Sequence, residues 1–276
     1  ANRGELLKQA GFSVFNQTYP NIEWVVVEDG GQESQEAQRP YIQGLTEHPG
    51  MQVVYEPLAK LGRSVAGNRG MEIARGDYLM FLDDDDCLYA DHVETLMAEI
   101  NAKPHCSAAY SLAWEVESHV ENGGTDITEG SYHQVASLQQ DYDYALLRTS
   151  NYIPIQSILF HASLFTQRGG FDVALDYLED WHLWQRFAHG NQFAYVPKTT
   201  SMYRTPMNMT LRSERQKLLD GAYKEVKALA ASEITTLNID ISNMDKDQPN
   251  MDNSQLTTDA TGIDSATDKS TQRKHG

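Results

Sequence analysis

An apolar run of strand length, Tyr78 to Leu82, ends abruptly in four consecutive aspartates, Asp83 to Asp86. This pattern predicts a buried strand with several carboxylates at its carboxyl end, where open α/β sheets bind ligands. Two ionised carboxylates about 4 Å apart repel by roughly 4 kcal/mol at an effective dielectric near 20, so the cluster requires water, helix-end amides or a cation. The cluster is either a site for Mg²⁺ or Mn²⁺ bridged to a diphosphate, or a solvated loop in which one aspartate caps the next helix.

Composition excludes several classes of protein. The 276 residues carry a net charge of -17, and such a chain lacks the clustered Lys and Arg that neutralise a nucleic-acid backbone, so no nucleic-acid partner is expected. The two cysteines, Cys87 and Cys106, form no disulfide framework, which fits a reducing, cytoplasmic setting. No apolar run approaches the roughly 18 residues of a membrane span, and no signal peptide is visible.

Strand-like and helix-like segments alternate along the chain. Trp24 to Val27 is an apolar, β-branched strand, and Val65 to Ala74 is a helix that precedes the strand before the aspartates. This alternation predicts a three-layer α/β domain with a mainly parallel central sheet over residues 1–231. From Ser232 onward polar residues dominate, so residues 232–276 are predicted to form a disordered tail.

Seven short motifs follow one another along about residues 2 to 205. They are Asn16 to Pro20, Val27 to Gly30, Ala66 to Gly70, Ala74 to Tyr78, Phe81 to Asp86, Gly169 to Asp172 and Leu178 to Trp181. Each motif alone is weak, but the ordered set resembles the family 2 glycosyltransferases. The resemblance implies the GT-A fold, the three-layer fold of nucleotide-diphospho-sugar transferases.

The resemblance also implies roles for individual residues. Asp29 would contact the base or ribose of a nucleotide, and Asn68 and Arg69 would lie near the nucleotide or its phosphates. Asp83 and Asp85 match the family's Asp-x-Asp pair, in which Asp85 would bind Mn²⁺ or Mg²⁺ directly and Asp83 would lie near the ribose or the metal. Taken alone, Asp29 also fits an ordinary Asp-Gly turn and Arg69 a surface cation.

A second acidic motif lies later in the chain. Asp180 is similar to the family's catalytic base, with Glu179 as a supporting carboxylate and Trp181 as a floor for the acceptor. Asp is also a good helix cap, and loss of a cap costs about 1 kcal/mol, so both roles are open for Asp180. The family motif that ends in Tyr203-Arg204 often continues to a histidine near the metal. Here Thr205 follows, so that third ligand is missing.

The implied reaction is the inverting transfer of a sugar from a nucleotide diphosphate sugar, with uridine diphosphate sugars favoured, to a hydroxyl of a glycan or lipid-linked acceptor. The setting would be surface polysaccharide or glycolipid synthesis, with peripheral association at the inner face of a membrane. The family opens with an apolar strand ending near Tyr-Asn-Arg, whereas this sequence begins Ala1-Asn2-Arg3, so the first strand is expected to be absent.

Three alternatives to the transferase remain open at this stage. The chain could be a truncated, inactive domain that binds nucleotide sugars. It could instead be a sugar nucleotidyltransferase, although no Gly-rich, basic triphosphate loop is visible near its start. A phosphatase with an Asp-x-Asp nucleophile would account for Asp83 and Asp85 but not for Glu179 and Asp180.

Overall fold

A computed structural model describes residues 4–46 and 51–244. The chain divides into two units, residues 1–236 and 237–276. The described helices are α1 (Gly4–Phe15), α2 (Gln32–Thr46), α3 (Arg63–Ile73), α4 (His92–Ala102), α5 (Tyr144–Leu147), α6 (Ser163–Arg168), α7 (Glu179–Ala188) and α8 (Met209–Met244). The described strands are β1 (Glu23–Glu28), β2 (Gln52–Pro57), β3 (Tyr78–Leu79), β4 (Cys87–Leu88), β5 (Cys106–Glu121), β6 (Asp126–Gln134), β7 (Ile158–His161) and β8 (Gln192–Pro206).

The described strands form two separate sheets. Strands β1 and β2 pair in parallel, and the second sheet has the order β3-β7-β5-β8-β4, with β6 added beside β5. Strands β5 and β8 are parallel, whereas the other described pairings of this sheet are antiparallel. The α/β class agrees with the prediction, but the mainly parallel sheet is corrected to a mixed one. A short turn at Asn122–Gly124 joins β5 to β6, and so short a connection allows only antiparallel pairing.

A cavity of about 850 Å³ lies between β1 and the segment that begins with β3. Apolar side chains line it from β1, from the chain after β3 and from α1, among them Val25, Val27, Leu79, Phe81, Leu7 and Val14. Strand β1 pairs with β2 and β3 pairs with β7, and no strand among residues 4–46 and 51–244 pairs with their other edges.

The main core packs around α7, which is buried on nearly every side. Trp181, Trp184 and Phe187 have no exposed surface, and the rings of Phe160 and Trp184 lie 5.8 Å apart. Apolar residues three positions apart give the helix its inward face, and Gly190, with φ of 73°, allows the chain to turn away after it. The core therefore fixes the start of α7, where Glu179 and Asp180 lie.

Helix α8 continues past the boundary predicted between residues 231 and 232. Buried residues recur along it at helical spacing: Val226, Ala230 and Ile234. Glu233 Oε2 lies 2.9 Å from His182 Nε2 of α7. Residues 232–244 belong to helix α8, so the helix extends into the segment that was predicted to be a disordered tail. The rest of the predicted tail, residues 245–276, lies outside the described residues.

Candidate active site

The four aspartates after β3 form a tight turn in which the Asp86 backbone N–H donates to Asp83 O at 3.2 Å. Asp86 is 5% exposed and accepts a hydrogen bond from the Arg204 backbone N–H at 3.3 Å. Burial, more than the neighbouring Asp83 and Asp85 carboxylates, holds the pKa of Asp86 well above its usual range. Asp86 therefore stabilises the turn from inside, and its neighbours are the candidate ligands.

Asp83 faces a cation. Its Oδ2 lies 3.2 Å from Nη2 of Arg63, the first residue of α3. The negative charges of Asp85, Asp84 and Asp180 also act on Asp83. The Asp180 charge acts on Asp83 from the start of α7, so the two acidic motifs face a common space.

Glu179 and Asp180 are presented by an unusual backbone. Leu178, immediately before α7, has a φ of 58°, a left-handed conformation that costs a non-glycine residue on the order of 1–3 kcal/mol and is typical of functional sites. Glu179 is 4% exposed, and burial raises its pKa to about 7, with the Asp180 charge adding to the effect. Asp180 Oδ2 accepts from Asn151 Nδ2 at 3.1 Å, and burial raises the pKa of Asp180 as well.

Arg63 joins the two acidic motifs. Its Nε lies 2.9 Å from Glu179 Oε1, while Nη2 reaches Asp83. Sequence reasoning missed this residue, because its partners lie 20 and 116 positions further along the chain. The available signal was its place directly after Gly62, at the start of the helix that carries the Ala66 to Gly70 motif.

Asp29 fixes the loop that presents Arg63. Its Oδ1 and Oδ2 accept the backbone N–H groups of Leu61 and Gly62, each at 2.6 Å. Gly62 has a φ of 104°, a conformation that favours glycine. Asp29, Arg63, Asp83 and Glu179 line the same cavity, so the structure brings together residues of β3, α3 and α7 with the end of β1.

Two predicted nucleotide contacts have other partners in the structure. Asn68 Nδ2 donates to Phe171 O at 2.9 Å and its Oδ1 accepts from Phe171 N at 2.6 Å, so its amide ties α3 to the Gly169 to Asp172 turn. Arg69 Nε donates to Glu56 Oε1 of β2 at 2.7 Å, and its Nη1 donates to Glu72 at 3.3 Å. Asn68 is thus a link between elements, and Arg69 pairs with acidic side chains away from the Asp83 turn.

Trp181 does not form a floor for an acceptor, which corrects the prediction. Its side chain has no exposed surface, its Nε1 donates to Leu147 O at 2.6 Å, and its ring stacks on Tyr223 at a centroid distance of 4.9 Å. Consecutive helical residues point about 100° apart, since a turn takes 3.6 residues. Trp181 therefore enters the core although Asp180, its neighbour in the motif, faces the site.

The carboxylate oxygens fit a hard divalent cation such as Mg²⁺ or Mn²⁺. Asp85 lies near enough to Asp83 for its charge to raise the pKa of that residue. Within residues 4–46 and 51–244 no group of three or more Asp, Glu, His or Cys is arranged around a metal position. Asp83 and Asp85 are the carboxylates that could hold such a cation, and Mg²⁺ usually takes its other ligands from phosphate and water.

The α/β fold of this chain is shared with solved structures that have the GT-A fold. S. aureus TarS 1-349 in complex with UDP-GlcNAc has a TM-score of 0.62 at 16% identity, and the match covers 84% of this chain and 63% of that one. The Pyrobaculum calidifontis mannosyltransferase PcManGT, in complex with GDP-Man and Mn²⁺, has a TM-score of 0.54 at 17% identity, over 78% of this chain and 57% of that one.

The model of the glycosyl transferase family 2 matches residues 1–148, and the chain belongs to that family. The predicted family and GT-A fold are confirmed. Glycosyltransferase GlyA of Streptococcus pneumoniae is 28% identical over 227 residues, which cover 79% of this chain and 32% of GlyA. The chain spans between 27% and 53% of the length of the first curated relatives it matches. In the part of the chain that the structure describes, no helix has the length and apolar character of a membrane span.

Proposed function

We propose that this chain transfers a sugar from a nucleoside diphosphate sugar to an acceptor hydroxyl, with inversion at the anomeric carbon. The observation that carries the proposal is that Arg63 contacts both acidic motifs, through Asp83 in the turn after β3 and through Glu179 at the start of α7. These three residues line one cavity together with Asp29. TarS was solved with UDP-GlcNAc and PcManGT with GDP-Man, which supports nucleoside diphosphate sugars as donors. Uridine diphosphate sugars are the first to test.

In this mechanism each acidic motif has a separate task. Asp83 and Asp85 would hold Mn²⁺ or Mg²⁺, and the bound cation would stabilise charge on the departing diphosphate as a Lewis acid. Asp29 anchors the loop before α3 and would place the nucleoside end of the donor against it. Asp180 would take the proton of the attacking hydroxyl, since burial raises its pKa toward the operating pH, where a general base is most effective.

Two neighbours prepare Asp180 for that task. Asn151 Nδ2 binds one carboxylate oxygen and so fixes the rotation of the side chain. Glu179 stays in the ion pair with Arg63, so the two adjacent carboxyl groups have different partners. This separation supports Asp180 as the base and Glu179 as the supporting carboxylate.

The acceptor would be a glycan or a lipid-linked sugar, in the synthesis of a surface polysaccharide or glycolipid at the inner face of a membrane. This part of the proposal is supported by the family resemblance alone. The alternative is a chain that binds a nucleotide sugar in the cavity beside Asp29 and Asp83 without turning it over.

The experiment combines calorimetry and turnover. Uridine and guanosine diphosphate sugars are titrated into the protein with Mn²⁺, and donor hydrolysis and transfer to simple sugar acceptors are followed. Asp180→Asn should lower turnover by about 100-fold or more, the usual contribution of a general base, while donor affinity stays within about twofold. Asp220→Asn, an exposed aspartate of α8, is the matched control and should change neither quantity.

Unchanged turnover in Asp180→Asn would rule out its role as the base. Donor binding by the wild-type chain without any hydrolysis or transfer would support the binding domain instead. If no nucleoside diphosphate sugar binds, the proposed donor class is wrong.

A further inference from the structure

We propose that Arg63 competes with the divalent cation for Asp83, and that its guanidinium pivots on Glu179 to bind the donor diphosphate once the cation has taken Asp83. The inference rests on the proposed function and adds a binding residue to it. It begins from one observation: a single side chain links the end of β3 to the start of α7 through contacts of 3.2 Å and 2.9 Å.

The charge balance of the cleft favours such an exchange. Arg63 interacts electrostatically with Asp83, Glu179, Asp180 and Asp85, which is one positive charge against four carboxyl groups. Like charges so close together repel strongly, so the cleft requires a cation. Arg63 neutralises part of the negative charge in the structure. A divalent cation between Asp83 and Asp85 would neutralise it when metal and donor are bound.

The two ion pairs of Arg63 differ in how easily they break. The Arg63 and Asp83 side chains are 56% and 43% exposed, and ion pairs this open to water contribute little stability. Glu179 has a side chain only 5% exposed, so leaving it without its partner carries a larger desolvation penalty. The contact with Asp83 is therefore the one that exchanges, and Glu179 is the pivot.

The geometry of the guanidinium suits the second position. Nε contacts Glu179, and Nη2, which contacts Asp83, is the group that would change partner. The planar fork of the guanidinium matches two phosphate oxygens, which a lysine ammonium does not. Arg63 also opens α3, and backbone N–H groups at a helix start favour an anion at the same place.

Asp29 connects this movement to the nucleoside end of the donor. Its two hydrogen bonds hold Leu61 and Gly62, the residues directly before Arg63. A donor that contacts Asp29 therefore meets the same loop that carries the guanidinium. The base of the Arg63 side chain stays fixed while its tip changes partner.

The test separates the cation from the nucleotide. Free Mn²⁺ is counted by electron paramagnetic resonance as it is titrated into metal-stripped protein without nucleotide. Arg63→Gln should bind Mn²⁺ about tenfold more tightly than wild type, because a competing charge has been removed. Arg69→Gln removes a positive charge from the same helix and should stay within about twofold of wild type. Arg69 is a suitable control because its partners are Glu56 and Glu72.

A second titration measures uridine diphosphate at saturating Mn²⁺. Arg63→Gln should bind it about tenfold more weakly than wild type, and Arg63→Lys about fivefold more weakly, because the lysine lacks the fork. Arg63→Lys keeps the charge and should hold the wild-type Mn²⁺ affinity within about threefold, which keeps the test available if Arg63→Gln folds poorly. Thermal melts of all variants report folding.

The outcomes distinguish the inference from the function on which it rests. Equal Mn²⁺ affinities of Arg63→Gln and Arg69→Gln overturn the competition, and so does a failure of both the wild-type chain and Arg63→Gln to take up Mn²⁺. Unchanged diphosphate affinity in Arg63→Gln overturns the pivot. If Arg63→Gln binds Mn²⁺ more tightly but the wild type does not bind uridine diphosphate, the competition is supported. The proposed donor class is then wrong.

Discussion

Glu179→Gln provides a quantitative test of the buried acidic pair. Burial raises the pKa of Glu179 from its ordinary 4.5 to about 7, although Arg63 opposes the change. A carboxyl group whose pKa is raised by folding contributes stability that is fully present below the unfolded pKa and lost as pH rises through the folded one. Each tenfold change in the proton equilibrium is worth about 1.4 kcal/mol, so the loss between these two pH values is about 3 kcal/mol.

Glutamine has nearly the same size and does not titrate. The free energy of unfolding of Glu179→Gln should therefore rise relative to wild type by about 3 kcal/mol from about pH 5 to about pH 8.5. Urea unfolding followed by circular dichroism measures it, with a chelator present so that no cation binds the carboxylates. Glu214→Gln, an exposed residue of α8, is the matched control and should parallel wild type.

The pH dependence of the difference in unfolding free energy between Glu179→Gln and wild type shows whether burial raises the pKa of Glu179. If Glu179→Gln and wild type keep a constant difference across this pH range, the carboxyl group is not protonated by burial. If the difference moves in favour of wild type as pH rises, the ion pair with Arg63 outweighs burial. Either result would refute the raised pKa of Glu179.

Two further predictions concern the framework of the site. Gly62→Ala should cost about 1–2 kcal/mol in urea unfolding, because φ at that position is 104° and the added methyl group meets open space. Gly44→Ala in helix α2 should instead stabilise the protein by up to about 1 kcal/mol, and equal effects of the two changes would contradict this. A chain ending at Ala231 should be less stable than one ending at Met244 by about 2 kcal/mol in urea unfolding, because it lacks the buried Ile234, and equal stabilities would favour the boundary predicted from the sequence.

The sequence predicted those parts of the candidate site that consist of residues adjacent in the chain. The aspartates after β3 and the acidic start of α7 were found because a strand end and a helix start leave clear local signals. The motif order then predicted the family. These local signals also placed Asp29 correctly at the end of β1, although its partners, Leu61 and Gly62, were not foreseen.

What the sequence did not predict depends on distant partners. Arg63 meets Glu179 only in the folded chain, and Asn68 is committed to the backbone of Phe171. Trp181 follows Asp180 in sequence, but its side chain points about 100° around the helix from Asp180 and packs against Tyr223. Strand direction in the larger sheet likewise depends on how distant strands pair, which alternation of strands and helices along the chain does not determine.

The most direct measurement of the proposed chemistry is the position of Mn²⁺ in a crystal grown with Mn²⁺ and uridine diphosphate, located by its anomalous scattering. A peak within bonding distance of the Asp85 or Asp83 carboxylate, next to density for the diphosphate and on the side that faces Asp180, is the predicted result. A manganese ion bound elsewhere, or a diphosphate outside the cavity that Asp83 and Glu179 line, would contradict it.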